Sequence, residues 1–149
     1  MAEDASARER NLALLDQALE AYNSGDLGFV LEHAAPDIRV HAAAELANAG
    51  TYQGRDEFER WMRQWLEAWR ITTIEIEEVI PVDERYLLID VRQRGEGAGS
   101  GVEVEMELTQ LVEIRDGLIA RFELHATHED AAAALERLRD EAQTGADAD

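Results

Sequence analysis

Residues 91–125 read VRQRGEGAGSGVEVEMELTQLVEIRDGLIARFELH, and this stretch decides the fold. Apolar and polar residues alternate almost without a break from Val102 to Ile114, with the period of two that a half-buried β-strand shows. The glycine-rich segment GEGAGSG before this run is a turn signal, and the Asp-Gly pair after it is typical of a two-residue hairpin. Because such short connections cannot cross over a sheet, the strands that they join are predicted to be antiparallel.

The alternation gives the predicted strands two different faces. The apolar face carries Leu87, Ile89, Val91, Val102, Val104, Met106, Leu108, Val112, Ile114, Phe122 and Leu124. The charged face carries Asp90, Arg92, Arg94, Glu103, Glu105, Glu107, Arg121 and Glu123. Upstream, ITTIEIEEVIPV predicts one more strand, whose apolar side carries Ile74, Ile76, Ile80 and Val82. The apolar face needs a cover of helices, which predicts an α+β fold with a strongly curved antiparallel sheet.

Two helices are predicted ahead of the first strand. Ser6 followed by Glu9 reads as the capping box of the first helix, which Gly25 ends. Asp26 caps a second, short helix, LGFVLEHAA, that Pro36 ends. The following DIRVHAA is predicted as a short strand, and AELANAGTYQG as a loop. After the last strand, Thr127 and Asp130 are predicted to cap a final helix, DAAAALERLRDEA.

A third helix, predicted after Gly54, holds all three tryptophans at a spacing of four residues. Four residues advance about 400° around a helix, so successive tryptophans drift by about 40°. Trp65 is therefore expected at the centre of the buried face, with Phe58 and Met62. Trp69 is expected to close the seam with the first long strand. Trp61 is expected to be partly exposed or to contact a partner subunit.

The composition bounds the class of protein. The 149 residues suit one domain, predicted as a flexible N-terminus (residues 1–6), a single domain (7–142) and a disordered acidic tail (143–149). The 33 acidic residues face 14 basic ones, all arginine, and the net charge of −19 argues against nucleic-acid or membrane-surface binding. The absence of cysteine excludes disulfides and thiolate chemistry. No secretory signal or membrane-length apolar run is visible, so a soluble cytoplasmic protein is expected.

Three stretches of the sequence resemble the SnoaL-like proteins of the NTF2-like superfamily. They are YNSGDLGFVLEHAAPDIRVHA, GTYQGRDEFERWMRQWLEAW and the strand run quoted above, and together they span roughly residues 8–135. The resemblance implies a cone, in which a bent antiparallel sheet is closed by helices on its concave side and opens into a pocket. It also implies a homodimer. Since the fold carries isomerases, cyclases, dehydratases, epoxide hydrolases and non-catalytic binding modules, it implies the architecture better than the activity.

The catalytic groups of the superfamily do not carry over intact. The resemblance places Ala18 where the ketosteroid-isomerase branch has a tyrosine, and Ala42 where it has the general-base aspartate. Gln110 matches the second aspartate of that branch. Other branches use an aspartate near the end of the last strand, where this sequence offers Thr127 or His125. The ketosteroid-isomerase mechanism is therefore not expected here.

Gln110 and His41 are the candidates for polar chemistry. Gln110 shares the apolar parity of Val112, and a buried amide needs partners, which are either a helix end, a water or a ligand. His41 has a side chain suited to acid–base work near neutral pH. Alternation from Val40 turns His41 outward unless the short strand is bulged.

The other polar signals have plainer interpretations. His125-x-x-His128 has no required metal geometry at a strand-to-helix junction, and two surface histidines are expected. GEGAGSG lacks the Gly-Lys-Ser/Thr ending of a phosphate loop. Gln93, near that turn, is expected at the pocket rim or in solvent. Neither a metal nor a cofactor is predicted.

These observations predict a mostly apolar pocket for a small hydrophobic molecule. Its expected lining is Leu15, Leu19, Val40, Phe58, Met62, Trp65, Val91, Met106, Leu108, Phe122 and Leu124. An isomerase, cyclase or hydrolase would use His41 for acid–base work and Gln110 for hydrogen bonding. It would need a closed cavity on the order of a few hundred Å³ onto which His41 or another titratable group opens. The alternative is a non-catalytic binding or accessory module, because the family's carboxylates are missing.

Overall fold

The computed structural model describes residues 2–43, 49–67, 69–82, 85–97 and 99–148, with side chains except at residues 2–8, 66, 69–72, 81 and 142–148. The described residues form four helices and six strands. In chain order they are α1 (Ala2–Asn23), α2 (Leu27–Glu32), β1 (Ala34–Ala42), β2 (Gly50–Gln53), α3 (Arg55–Glu67), β3 (Trp69–Pro81), β4 (Tyr86–Gly97), β5 (Glu103–Arg115), β6 (Leu118–His125) and α4 (His128–Ala148). The predicted α+β class with a curved sheet is confirmed.

The strands form one mixed sheet in the order β2-β1-β6-β5-β4-β3. Strands β3 to β6 are antiparallel, as their short connections predict. β1, however, lies parallel to β6, with Val40 opposite Phe122, so the expectation of a purely antiparallel sheet was wrong at this pair. No short turn joins β1 to β6, and their relative direction is therefore free of the hairpin constraint. Among the described residues the outer strands β2 and β3 do not pair with each other, and the sheet is not closed into a barrel.

The turn between β5 and β6 confirms the hairpin predicted from Asp-Gly. Asp116 and Gly117 both have positive φ angles, 56° and 77°. Arg115 and Leu118 pair directly on either side of them. Two successive residues with positive φ match the twist of the flanking strands. Beyond the turn, the register of β5 against β6 shifts by one residue between Glu113 and Ile114.

A bulge in β3 changes the face on which its second half lies. The register against β4 shifts between Ile76 and Glu78, so one residue is inserted there. Before the shift, Ile76 packs against the main core, but after it Ile80 and Val82 pack on the opposite face of the sheet. The prediction that these two share a side with Ile76 was wrong, because an inserted residue reverses the parity of everything that follows it.

The first half of the chain departs from the predicted bounds in three places. α1 begins at Ala2, ahead of the Ser6 motif predicted to cap it. α2 ends at Glu32, and β1 begins at Ala34 and runs through Pro36, so the helix is shorter than predicted. Residues 50–53, predicted as part of a loop, form β2 and pair with β1 at the sheet edge. An edge position lets so short a strand form.

Several predicted helix ends are confirmed. Gly25 follows α1 with φ 83°, and its N–H donates to the carbonyl of Tyr22. The Asp26 side chain accepts a hydrogen bond from the Phe29 N–H at 3.2 Å and caps α2. The Thr127 hydroxyl accepts a hydrogen bond from the Asp130 N–H at 3.1 Å and caps α4.

The main core lies between the concave face of the sheet and helices α1 to α3. Its most completely buried side chains include Ile38, Leu87, Ile89, Val91 and Val112. The predicted apolar face is therefore largely correct. Val102 is an exception, with 58% of its surface exposed, because it precedes β5 and has no helix above it.

Helix α4 packs on the opposite face of the sheet and builds a second, smaller core. Ala131 and Leu135 of α4 contact Leu88 of β4 and Leu111 of β5. The expectation that helices cover only the concave face was incomplete. Leu88 and Leu111 interrupt the charged face at this point, and they give α4 an apolar surface on which to dock.

Two of the three tryptophans lie in the main core. Trp65 is buried beside Phe58 and Met62, as predicted. Trp61 is also buried, with 5% of its surface exposed, so the expectation of a partly exposed side chain was wrong. Its ring stacks on Trp65 and tilts against Phe122, with centroids 6.0 and 5.9 Å apart. The Trp69 side chain lies outside the described residues.

Candidate functional site

A cavity of about 100 Å³ lies between the helices and the concave face of the sheet. Helices α1 and α2 contribute Leu15, Ala18, Leu19, Tyr22 and Val30, and α3 contributes Phe58, Trp61, Met62 and Trp65. The strands contribute Ile74, Ile76, Ile89, Val91, Gln93, Gln110, Val112, Ile119, Phe122 and Leu124. The cavity is smaller than the few hundred Å³ expected, because the aromatic side chains of α3 fill part of the cone.

Most of the side chains predicted to line a pocket do border this cavity. They are Leu15, Leu19, Phe58, Met62, Trp65, Val91, Phe122 and Leu124. Gln110, predicted for hydrogen bonding, borders the cavity too. Val40, Met106 and Leu108 do not border it. Val40 and Leu108 are buried in the main core, and Met106 packs against that core. Alternation places a residue on a face but does not say which part of the face borders empty space. Contact of any lining residue with a ligand stays a prediction.

Aromatic rings form one side of the cavity. Trp61 and Trp65 are one helical turn apart on α3, and their ring planes meet at 22°. Phe122 of β6 packs against Trp61, and its ring centroid lies 6.3 Å from that of Phe58. An interlocked set of four rings gives a stiff wall with faces and edges available to a flat apolar molecule.

Two polar side chains of the cavity lack a partner. The Gln110 amide points from β5 toward the helices, between Ile89 and Leu124 on the neighbouring strands. Tyr22 lines the cavity from the last turn of α1. Within the part of the chain that the structure describes, neither group forms a hydrogen bond with another residue. Each is half-buried, so these are the groups from which a bound molecule would find hydrogen bonds.

Burial also makes the Tyr22 hydroxyl harder to ionise. The apolar surroundings raise the pKa of its hydroxyl well above the ordinary value for tyrosine, because the phenolate would be poorly solvated there. Tyr22 is thus a neutral hydrogen-bond donor at physiological pH. The sequence carries a signal for it, since Tyr22 follows Leu15 and Leu19 at helical spacing.

Gln93 is buried and borders the cavity, with 2% of its surface exposed. The expectation of a rim or solvent position was wrong. Gln93 pairs with Ile74 of β3 and Met106 of β5, and these neighbouring strands shield it from solvent. Gln93 follows Val91 by two residues, so strand alternation places both side chains on the apolar face. The prediction gave too much weight to the nearby glycine-rich turn.

His41 lies on the face of the sheet that points away from the cavity. Ile38, Val40 and Ala42 point into the core, and the irregularity of β1 falls between Ala34 and Arg39, ahead of the histidine. Simple alternation therefore holds at His41. Its Nδ1 lies 3.2 Å from the Thr51 hydroxyl of β2. The structure does not place His41 where it could transfer a proton to a molecule in the cavity.

Near His41, the outer face holds a buried polar pair. His125 Nε2 lies 2.8 Å from Glu123 Oε1, and Arg121 donates to Glu123 Oε2 at 3.1 Å. Burial alone would raise the pKa of Glu123, but the partners His125 and Arg121 outweigh it and lower that pKa. His125 is itself buried, so the expectation of a surface histidine was wrong for this residue. The His125 ring lies 5.7 Å from that of His41.

A second histidine–carboxylate pair ties α4 to the sheet. His128 Nδ1, in the first turn of α4, lies 3.0 Å from Asp90 Oδ1 of β4, and the Thr109 hydroxyl donates to the same oxygen at 2.8 Å. Burial opposes the ionised form of Asp90, yet His128 and Thr109 outweigh it and lower the pKa of the carboxyl. Both histidines are thus engaged with carboxylates. Among the described side chains, no cluster of metal-ligating groups has the makings of a metal site.

The charged face of β3, β4 and β5 carries ion pairs within one chain. Arg92 contacts Glu77, Glu105 and Glu107, and Arg94 contacts Glu105. These residues belong to the charged face that the alternation predicts. These charges are satisfied without a partner subunit, so the homodimer stays a prediction.

A family model for the SnoaL-like domain matches residues 15–122. The chain belongs to this family. The match covers α1 from Leu15 through β6 to Phe122, and so it includes nearly all of the cavity lining. No curated protein matches the sequence.

Solved structures of the NTF2-like fold superpose on this SnoaL-like domain. An NTF2-like protein of unknown function from Burkholderia pseudomallei is 20% identical, with a TM-score of 0.72 over 85% of this chain and 95% of that one. A protein from Jannaschia sp. CCS1 that carries the name SnoaL-like polyketide cyclase is 15% identical, with a TM-score of 0.69 over 78% and 84%. A protein from Sinorhizobium meliloti that carries the name polyketide cyclase is 26% identical, with a TM-score of 0.61 over 76% and 94%.

None of the helices in the described ranges combines the length and the apolar composition that a membrane crossing needs.

Proposed function

We propose that this SnoaL-like domain binds a small, mostly apolar molecule in the cavity between α1, α3 and the concave face of the sheet. The observation that carries the proposal is the pair of unpartnered polar groups, the Gln110 amide and the Tyr22 hydroxyl, within an otherwise apolar lining. Both groups are half-buried in apolar surroundings. A ligand that bonds them replaces water there and forms its hydrogen bonds in a space with few other polar partners.

A binding role is better supported than catalysis by a general base. The lining contains neither a carboxylate nor an imidazole among the described residues. Its only titratable side chain there is Tyr22, which is neutral at physiological pH and which burial makes still harder to ionise. His41, the expected acid–base group, lies on the other face of the sheet. The non-catalytic interpretation therefore fits the cavity best.

One observation favours an enzyme instead. Gln110 and Tyr22 are two free donors in a low-dielectric space, and donors placed in this way stabilise negative charge that develops on a carbonyl oxygen. An isomerase or cyclase built on them would take its base from the substrate or solvent. The names that two of the superposed proteins carry, polyketide cyclase, are compatible with such chemistry.

The binding proposal can be tested with benzene and xenon, which an apolar cavity of about 150 Å³ takes up. The probes are titrated into the protein, and the indole N–H signals of Trp61 and Trp65 are followed by NMR. We expect saturable shifts of both signals in the wild-type protein. Ala18→Phe adds a ring to the lining of the cavity and is expected to abolish the shifts.

Ala13→Phe is the matched control, because Ala13 lies on the exposed side of the same helix. It is expected to leave the shifts unchanged, and circular dichroism checks that both variants fold. Wild-type signals that do not respond to either probe, or a response that survives in folded Ala18→Phe, would overturn the proposal.

A further inference from the structure

We infer that the cavity selects neutral molecules with a single ring and one polar substituent that both donates and accepts a hydrogen bond, of which phenols are the simplest class. The inference rests on the proposed binding function and names the ligand chemistry of the same site. It is carried by the size of the cavity, the absence of charge in its lining, and its two free polar groups.

Size limits the ligand to one ring. A dry apolar cavity of about 150 Å³ accommodates a benzene molecule. The cavity here, at about 100 Å³, is smaller than that, so one ring is the largest group that we expect it to take whole. The surrounding wall does not yield easily, because the Trp61 ring packs on both Trp65 and Phe122. A ring that enters meets aromatic faces and edges at favourable distances.

Charge limits the ligand to neutral molecules. No arginine, histidine, aspartate or glutamate side chain borders the cavity in the described part of the chain. A charged ligand would lose its hydration without gaining an ionic partner, which costs far more than the hydrogen bonds return. The net charge of −19 further disfavours anions at long range. The negative charge of the protein attracts cations. Weak binding of a cation would therefore show, more clearly than weak binding of an anion, that the lining itself selects neutral molecules.

The two free polar groups define the substituent. Tyr22 is a neutral hydroxyl that donates one hydrogen bond, and the Gln110 amide offers a donor and an acceptor. A ligand hydroxyl accepts from one of these groups and donates to the carbonyl oxygen of Gln110. A purely apolar ring leaves both groups unpaired. A neutral hydrogen bond contributes modestly to affinity, so the expected gain over a ring without a hydroxyl is about 3- to 10-fold.

The experiment compares five probes by NMR titration of the full chain: phenol, toluene, benzoate, benzylammonium and 2-naphthol. We expect phenol to bind about 3- to 10-fold more tightly than toluene. Benzoate, benzylammonium and 2-naphthol are expected to bind at least about tenfold more weakly than phenol. Gln110→Leu and Tyr22→Phe are each expected to reduce the affinity for phenol toward that for toluene, and to leave toluene binding unchanged.

Gln64→Leu is the matched control, because Gln64 lies on the exposed side of α3. It is expected to bind phenol as the wild-type protein does. Toluene bound as tightly as phenol, or 2-naphthol or benzylammonium bound as tightly as phenol, would overturn the inference while leaving a ligand-binding cavity in place. Failure of every probe, toluene included, would overturn the proposed function itself.

Discussion

The Asn23 side chain at the end of α1 forms a pair of hydrogen bonds with the backbone of Ile74 in β3. Asn23 Nδ2 donates to the Ile74 carbonyl at 3.0 Å, and the Ile74 N–H donates to Asn23 Oδ1 at 3.0 Å. The amide therefore imitates one rung of a β-ladder on the outer strand of the sheet. Because α1 and β3 both contribute to the cavity lining, this pair also closes a seam of the cavity.

Asn23→Ala should loosen this seam. It leaves the donor and acceptor of Ile74 to water, and the expected loss in the free energy of unfolding is about 1 kcal/mol because the site is exposed. Urea unfolding measures that loss, and hydrogen exchange of the Ile74 amide should accelerate. Gln17→Ala, on the exposed side of α1, is the control. Unchanged exchange at Ile74 would show that the pair does not hold the seam.

Trp61→Ala should destabilise the protein severely. The ring is buried against Trp65 and Phe122, and removal of a buried tryptophan costs about 3–5 kcal/mol through lost burial and the void left behind. Arg63→Ala, two residues away and largely exposed, should cost less than about 1 kcal/mol. Chemical unfolding of the two variants compares them. Equal stabilities would contradict the buried position of Trp61.

A charge beneath α4 should undo its packing on the sheet. Ala131→Asp places a carboxylate in the second core, where Ala131 is fully buried, and should cost at least about 2 kcal/mol. Ala133→Asp introduces the same residue on the exposed side of the helix and should have little effect. Urea unfolding and the helical signal in circular dichroism measure both variants. An Ala131→Asp variant as stable as the wild-type protein would disprove the packing of α4 on the sheet.

Glu123 should make the protein more stable at neutral than at acidic pH. Its pKa is lower in the folded protein than the ordinary value of about 4.3, so the unfolded chain binds the proton more readily. The contribution of Glu123 is fully present above pH of about 4.3, and it is lost as the pH falls through the folded pKa.

Glu123→Gln should therefore lower the free energy of unfolding at pH 7 by about 1–3 kcal/mol and approach the wild-type value in acid. Unfolding curves between neutral and acidic pH test this convergence. The exposed Glu129→Gln serves as the comparison. A difference from wild type that stays constant down to low pH would rule out the linkage.

The strands and turns of the second half of the chain could be predicted because their signals are local. The alternation around Val112, the positive-φ turn at Asp116 and Gly117, and the cap at Thr127 each depend on a few neighbouring residues. The direction of β1 against β6 could not be predicted in this way. It depends on strands that are about 80 residues apart in the chain, and no turn constrains them.

The candidate site could be predicted in part. Strand alternation predicts that Gln110 faces inward, and it does border the cavity. The same alternation turns His41 to the outer face of the sheet, although its side chain is suited to acid–base chemistry. Tyr22 was not selected as a site residue, and Gln93 was expected at the rim or in solvent, although helical spacing and strand alternation place both side chains inward. Whether an inward side chain borders empty space depends on how the rings of α3 fill the cone, and such packing has no signal in any short stretch of sequence.

The sequence by itself determined the class of the fold, the apolar and charged faces of the sheet, and the caps and hairpin that separate its elements. These follow from periodicity and from the conformational preferences of single residues. Only the tertiary structure decided the reversal of faces at the bulge after Ile76, the docking of α4 on the outer face, and the union of Tyr22 and Gln110 at one cavity. The local sequence pattern is compatible with more than one packing at each of these places. Which packing forms depends on close contacts between elements that are distant in the chain.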